Sequence, residues 1–189
     1  MARQIGAKPA VILLCAALAL AGCKSKQEKA DAYYQSALAL AAKGDIPRAM
    51  IELRNVFEYD SSHKAARREY GDLLLATGRV QEAYSQYLRL SEQYPDLVDP
   101  HRILAELSLR SGNIDEARRQ MNTTLDLAPD DPGALAVGLA LKLRTAMARN
   151  ETSAYGDIAT QARALAQRAP DIATAWHVLI DTLNAQGDQ

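Results

Sequence analysis

Arg68 and Arg102 lie 34 residues apart, and each is followed four residues later by a carboxylate, Asp72 and Glu106. Two guanidinium forks at a fixed interval can hold a carboxylate or an extended acidic peptide through bidentate contacts. The same spacing also suits pairing within one helix, Arg68 with Asp72 and Arg102 with Glu106, worth about 0.2–0.5 kcal/mol per pair. Internal pairing is the simpler reading, and capture of a ligand stays open beside it. Other chemistry would have to come from His63, His101 and His177 or from Cys15 and Cys23. Acid–base catalysis needs several groups converging on one point, and none of these residues lies in a nucleophile or metal-ligand motif. There is also no phosphate-cradling glycine loop, zinc spacing or nucleophile elbow. The expectation is a chain that is not an enzyme and holds no metal.

The elements that position these side chains follow from composition. Of 189 residues, 48% are hydrophobic and only 5% aromatic, with alanine and leucine abundant. Both enter helices at little entropic cost, so an all-α chain is expected. The formal charge of −1 hides a split: residues 1–22 carry Arg3 and Lys8 without an acid, leaving 20 cations against 23 acids in the remainder. A mildly acidic body gives no electrostatic reason to bind nucleic acid.

The first 22 residues read as a processing signal. Two cations precede an uninterrupted small or apolar run at 10–21, "AVILLCAALALA", the order found in secretory leaders. About 12 residues at 1.5 Å each reach roughly 18 Å, short of a hydrocarbon core of about 30 Å. The sequence Leu20-Ala21-Gly22-Cys23 resembles the lipobox of bacterial lipoproteins. That resemblance implies cleavage before Cys23, a diacylglycerol thioether on its sulfur and acylation, often with palmitate, of its new amine. Two or three acyl chains make a lasting anchor where one is marginal. Cys15 would leave with the signal, so the mature chain would carry no second thiol and no internal disulfide. Lys24, where aspartate would favour inner-membrane retention in that family, implies the periplasmic face of the outer membrane. Residues 23–29 read as the lipidated cysteine and its tether.

Internal repetition organises the rest. Gly44, Gly78 and Gly112 recur at 34 residues, as do Ala49, Ala83 and Ala117, and Pro95 and Pro129 share the interval. Glycine suits the left-handed backbone after a helix, alanine lets a second helix approach, and proline ends it. Period and residues resemble the tetratricopeptide repeat, which implies an α-solenoid of helix-turn-helix pairs wound into a right-handed superhelix. Repeats are placed at 30–63, 64–97 and 98–131, with Tyr70-Gly71, Leu74, Gly78, Ala83, Tyr87 and Pro95 making the second the closest fit. His101 and Ser108 stand where bulky packing residues are usual. Pro170 follows Pro129 by 41 residues, so 132–170 reads as an atypical pair with "RNETSAYGD" as an extended turn. Residues 171–189 read either as a capping helix or as the first helix of a further repeat. The many apolar positions of "AWHVLIDTL" favour the second.

The tetratricopeptide resemblance implies a peptide-binding groove lined by the first helix of each pair. Carried over position by position, this gives Asp31, Tyr34 and Leu38; Arg68, Asp72 and Leu75; and Arg102, Glu106, Leu109 and Arg110. Arg144 and His177 extend the groove into the fourth pair and the last helix, and His63 is expected to be solvated at a repeat boundary. Tyr33, Tyr70, Tyr84, Tyr87 and Trp176 read as packing residues, with Tyr33 facing the core and Tyr34 left for binding. The implied function is a non-catalytic, lipid-anchored scaffold that binds an envelope protein or peptide segment. Residues 30–130 look most like the opening of exosortase-associated and exopolysaccharide-associated repeat lipoproteins. An alternative is an assembly factor, a pilotin or barrel-assembly lipoprotein, that binds a secretin or outer-membrane protein.

Overall fold

The computed structural model describes residues 25–187, all connected helices with no strand among them. The order is α1 (Lys26–Ala41), α2 (Ile46–Tyr59), α3 (Lys64–Ala76), α4 (Val80–Gln93), α5 (Val98–Arg110), α6 (Ile114–Leu127), α7 (Pro132–Ala148), a 3-10 turn (Thr152–Ala154), α8 (Tyr155–Arg168) and α9 (Ala173–Gly187). Cys23 and the apolar run before it lie outside the described residues. No described helix is long and apolar enough to cross a membrane.

Helix starts follow local chemistry. Ser25 and Glu28 form a reciprocal cap on α1, with Glu28 N–H donating to Ser25 Oγ at 3.1 Å and Ser25 N–H donating to Glu28 Oε2 at 2.7 Å. That cap satisfies two otherwise orphaned amides. Of the expected tether at 23–29, residues 26–29 are helical, because a polar first turn can be helical when it is capped and solvated; residues 23 and 24 lie outside the described residues. Asp45, Asn113 and Asp131 cap α2, α6 and α7, each accepting from an amide three residues on.

One hairpin turn is used four times. Gly44, Gly78 and Gly112 have φ of 76°, 75° and 79°, and Asn150 takes the same left-handed region at 55°. After each, an amide reaches back five residues: Asp45 to Leu40, Arg79 to Leu74, Asn113 to Ser108 and Glu151 to Ala146. These six-to-one bonds close the Schellman ending of a helix. Asparagine is the side-chain-bearing residue that best tolerates this region, so the fourth hairpin keeps the turn without glycine. Its longer period also has a local origin. The first helix α7 has 17 residues against 13 in α5, and six residues rather than three link it to its partner.

The described chain divides into two compact units with the boundary between Ala66 and Arg67, in the first turn of α3. In the first unit α1 and α2 close over Ala30, Ala37, Ala49 and Leu53. In the second, Tyr87 is fully buried against Gly71, where an added Cβ would lie 2.9 Å from the ring. That contact is the reason for a glycine beside Tyr70. Further along, Ala105, Ala117, Val137 and Leu141 make one apolar cluster, and α7, α8 and α9 share a second around Leu139, Ile158, Leu165 and Val178.

The two unusual packing residues have different outcomes. His101 is buried, with Nδ1 2.7 Å from Gln120 Oε1 and Nε2 2.9 Å from the Pro95 carbonyl. Trp176 makes the same contact in the last helix, donating from Nε1 to the Pro170 carbonyl six residues earlier at 3.1 Å. His101 therefore performs the ring N–H role of a tryptophan. Ser108 is 1% exposed, and its hydroxyl has no hydrogen-bond partner.

Candidate functional site

In the first unit, Tyr34 and Leu38 are half-buried on α1. The Tyr34 ring lies 4.9 Å from the His63 ring at a tilt of 48°. His63 is not solvated as expected, its side chain being 11% exposed. It caps α3, its Nδ1 accepting from Ala66 N–H at 3.1 Å, while Nε2 lies 3.6 Å from Asp31 Oδ1. Tyr33, expected in the core, is only partly buried. It stacks on Tyr59 at 5.6 Å, and the Lys29 ammonium sits 5.5 Å from the centre of the Tyr59 ring. Sequence spacing put both tyrosines on one helix but could not show that α2 would supply an aromatic partner.

In the second unit the arginines belong to a continuous ladder of charge. Arg68 donates from Nε to Asp72 at 2.9 Å and from Nη1 to Asp99 at 2.5 Å. Asp99 also accepts from Arg102 Nη2 at 2.6 Å. Arg102 continues to Glu106 at 3.8 Å and to Asp131 at 3.5 Å. At the other end, the Tyr87 hydroxyl donates to Asp72. The pairs within each helix form, and Asp99 joins them across helices. Asp99 and Asp131 were not among the expected residues. Their signal is positional: Asp99 is in the first turn of α5, three residues before Arg102, and Asp131 is the N-cap of α7.

Burial sets the electrostatics. Desolvation is the largest influence on Asp99 and would raise its pKa, but hydrogen bonds from Arg68 and Arg102 together hold it below the usual carboxylate value. For Glu106 desolvation wins: its pKa is raised, Asp131 adding to the rise and Arg102 opposing it. Burial and then Asp72 push the Tyr87 phenol upward. Burial opposes the charge of Arg68 and Arg102, yet their carboxylate partners keep both firmly protonated. Gly133 gives the ladder room at its end: a Cβ there would lie 2.6 Å from Arg102 Cδ and 2.8 Å from Glu106 Oε1, so both side chains would have to shift.

The remaining expected residues separate by environment. Leu75 is half-buried on α3, and Arg110 is exposed at the end of α5. Leu109 packs on the Ala105–Val137 cluster, so much of its surface serves hairpin stacking. Arg144 and His177 are exposed on α7 and α9. Among the described residues, no group of three or more histidines, cysteines or carboxylates is arranged to hold a metal ion.

Residues 40–103 match the tetratricopeptide repeat family. No match was found among curated protein sequences. Solved structures share the architecture at low identity. MamA superposes with a TM-score of 0.64 at 12% identity, covering 85% of this chain and 84% of its own. A tetratricopeptide repeat protein from Parabacteroides merdae gives 0.61 at 16%, covering 85% and 74%. YrrB, a tetratricopeptide protein described as having an unusual peptide-binding site, gives 0.59 at 16%, covering 83% and 77%. The matched stretch and the shared architecture together identify tetratricopeptide repeats at residues 40–103 and give the described chain a tetratricopeptide-type helical fold.

Proposed function

We propose that this chain is a non-catalytic scaffold, anchored by lipid on Cys23 at the periplasmic face of the bacterial outer membrane, whose first helices capture a segment of another envelope protein. The observation that carries the capture reading is the ladder of four carboxylates threaded by two arginines on successive hairpins. Because Arg68 and Arg102 are engaged internally, they have little to offer an acidic ligand. Asp72 and Asp99 have side chains 43% and 49% exposed, against 34% and 22% for Arg68 and Arg102. The outward chemistry of the ladder is therefore carboxylate, and even with Arg110 at its end acids remain in excess. A segment bearing lysine or arginine complements it, which reverses the acidic ligand that arginine spacing alone left open.

Support for a protein partner comes from the repeat fold and from YrrB, whose own description includes a peptide-binding site. Support for the anchor is the leader grammar ending at Cys23, and for the envelope setting the likeness of residues 30–130 to export-associated repeat lipoproteins. Within that setting, the role is exopolysaccharide export or exosortase-type sorting. Metabolic labelling with a palmitate analogue and membrane fractionation test the anchor. Label should enter the wild-type chain and be lost in Cys23→Ser, with the variant released to the soluble periplasm. Equal labelling of both, or a soluble wild type, would overturn this assignment.

A further inference from the structure

A second recess lies away from the ladder. It is an open trough of about 870 Å³ floored by α7 and walled by α6 and α8. On α7 its floor follows Ala134, Gly138, Lys142 and Thr145, at intervals of four, four and three residues, which is one helix face. Gly133, whose position meets Arg102, and Ala136 and Ala140 lie on the opposite side of α7 at about 100° per residue. The trough and the ladder therefore use different faces of the layer.

The trough arises where the 34-residue period breaks. The longer first helix and the Thr152–Ala154 turn lengthen the connection between α7 and the start of α8, and Ala154 of that turn lines the trough. Its lining is mostly apolar, and the floor stays low at the Ala134–Gly138 end because both residues are small. From Ala134 to Ala146 it runs about 18 Å at 1.5 Å per residue, the length of roughly three helical turns. That elongation suits a helix better than a compact ligand.

Charge selects the kind of helix. Arg118 and Lys142 line the trough without a hydrogen-bond or ion-pair partner among the described residues, and Arg168 donates only to the Asp130 carbonyl at 3.5 Å. Of the two acids in the lining, Glu151 pairs with Arg149 at 3.6 Å, while Asp157 accepts from the neutral Gln161 at 2.6 Å and keeps its charge, so three cations face one unneutralised acid and the lining is net basic. Apolar helix faces bind apolar grooves through residues at three and four spacing. We infer that this trough docks an amphipathic helix of another protein that carries acidic residues beside its apolar face, with Arg118, Lys142 and Arg168 answering the acids.

The test is selection from a displayed library of helical 16-residue peptides on the full chain in detergent. The selected pool should be enriched in aspartate and glutamate flanking apolar residues at three and four spacing. Its members should lose tenfold or more in affinity for Arg118→Glu/Lys142→Glu and for Gly138→Leu, but not for Asp99→Asn in the ladder. Arg118→Gln/Lys142→Gln, with helicity checked by circular dichroism, guards against misfolding and should lose at least threefold. A pool without acidic enrichment, acidic peptides indifferent to these variants, self-association through the trough, or saturable oleate binding there without any selected helix would each overturn the assignment.

Discussion

Arg68 in α3 and Asp99 in α5 meet at 2.5 Å, joining the first helices of two successive hairpins through one carboxylate that Arg102 shares. A groove arginine read from spacing as a ligand hook is thus also part of the hairpin interface.

Breaking that joint should cost stability. Asp99→Asn leaves two guanidinium groups with one charge fewer between them, but the groups are a fifth to half exposed, so solvent screens much of the effect. A loss of about 1 kcal/mol is expected in urea unfolding, shrinking in 1 M salt as screening tightens. An unchanged midpoint at low salt would mean the ladder does not hold the hairpins together.

Glu106 gives the opposite sign. Its folded pKa is raised above the unfolded value of about 4.3. The stability linked to its protonation is present below that value and is lost as pH rises through the folded pKa. Glu106→Gln should therefore melt above wild type at pH 7 and lose the advantage by pH 4. Asp99, held low, acts in reverse: its contribution is present above about 3.9 and is lost as pH falls through its folded pKa. A Glu106→Gln advantage that grows on acidification would contradict this assignment.

Ser108 is buried with an unanswered hydroxyl. Removing an unpaired polar atom without opening much space should help, and Ser108→Ala is expected to gain about 1 kcal/mol. A destabilised variant in thermal melts would show that the hydroxyl finds a partner in solution.

Asn150 tests the fourth turn. Asn150→Gly should be neutral or slightly stabilising, while Asn150→Val, β-branched in a left-handed conformation, should cost about 1–2 kcal/mol. Equal melting of the two would argue against that backbone.

Much of the architecture is readable because the repeat is written in backbone-limited residues. Gly44, Gly78 and Gly112 mark positive φ, and Tyr70-Gly71 marks a contact that only a missing Cβ permits. The fourth turn is harder to find because Asn150 does glycine's work and the helix before it gains a turn. Ion pairing within helices is visible as spacing of three or four, Asp99 with Arg102 included, but the Arg68–Asp99 and Arg102–Asp131 contacts depend on the approach of neighbouring hairpins, which no local pattern encodes. The trough is invisible for a related reason: the phase slip shows in the sequence, whereas the space it opens depends on α6 and α8 together.

The most direct test of the central claim is calorimetric titration of the purified chain with matched extended peptides, one rich in lysine and arginine and one in aspartate and glutamate, across a salt series. The account predicts that the basic peptide binds, that its affinity falls as salt rises, and that Asp72→Asn with Asp99→Asn weakens it tenfold or more. Preferential binding of the acidic peptide, lost on Arg68→Ala with Arg102→Ala while the fold persists, would contradict it.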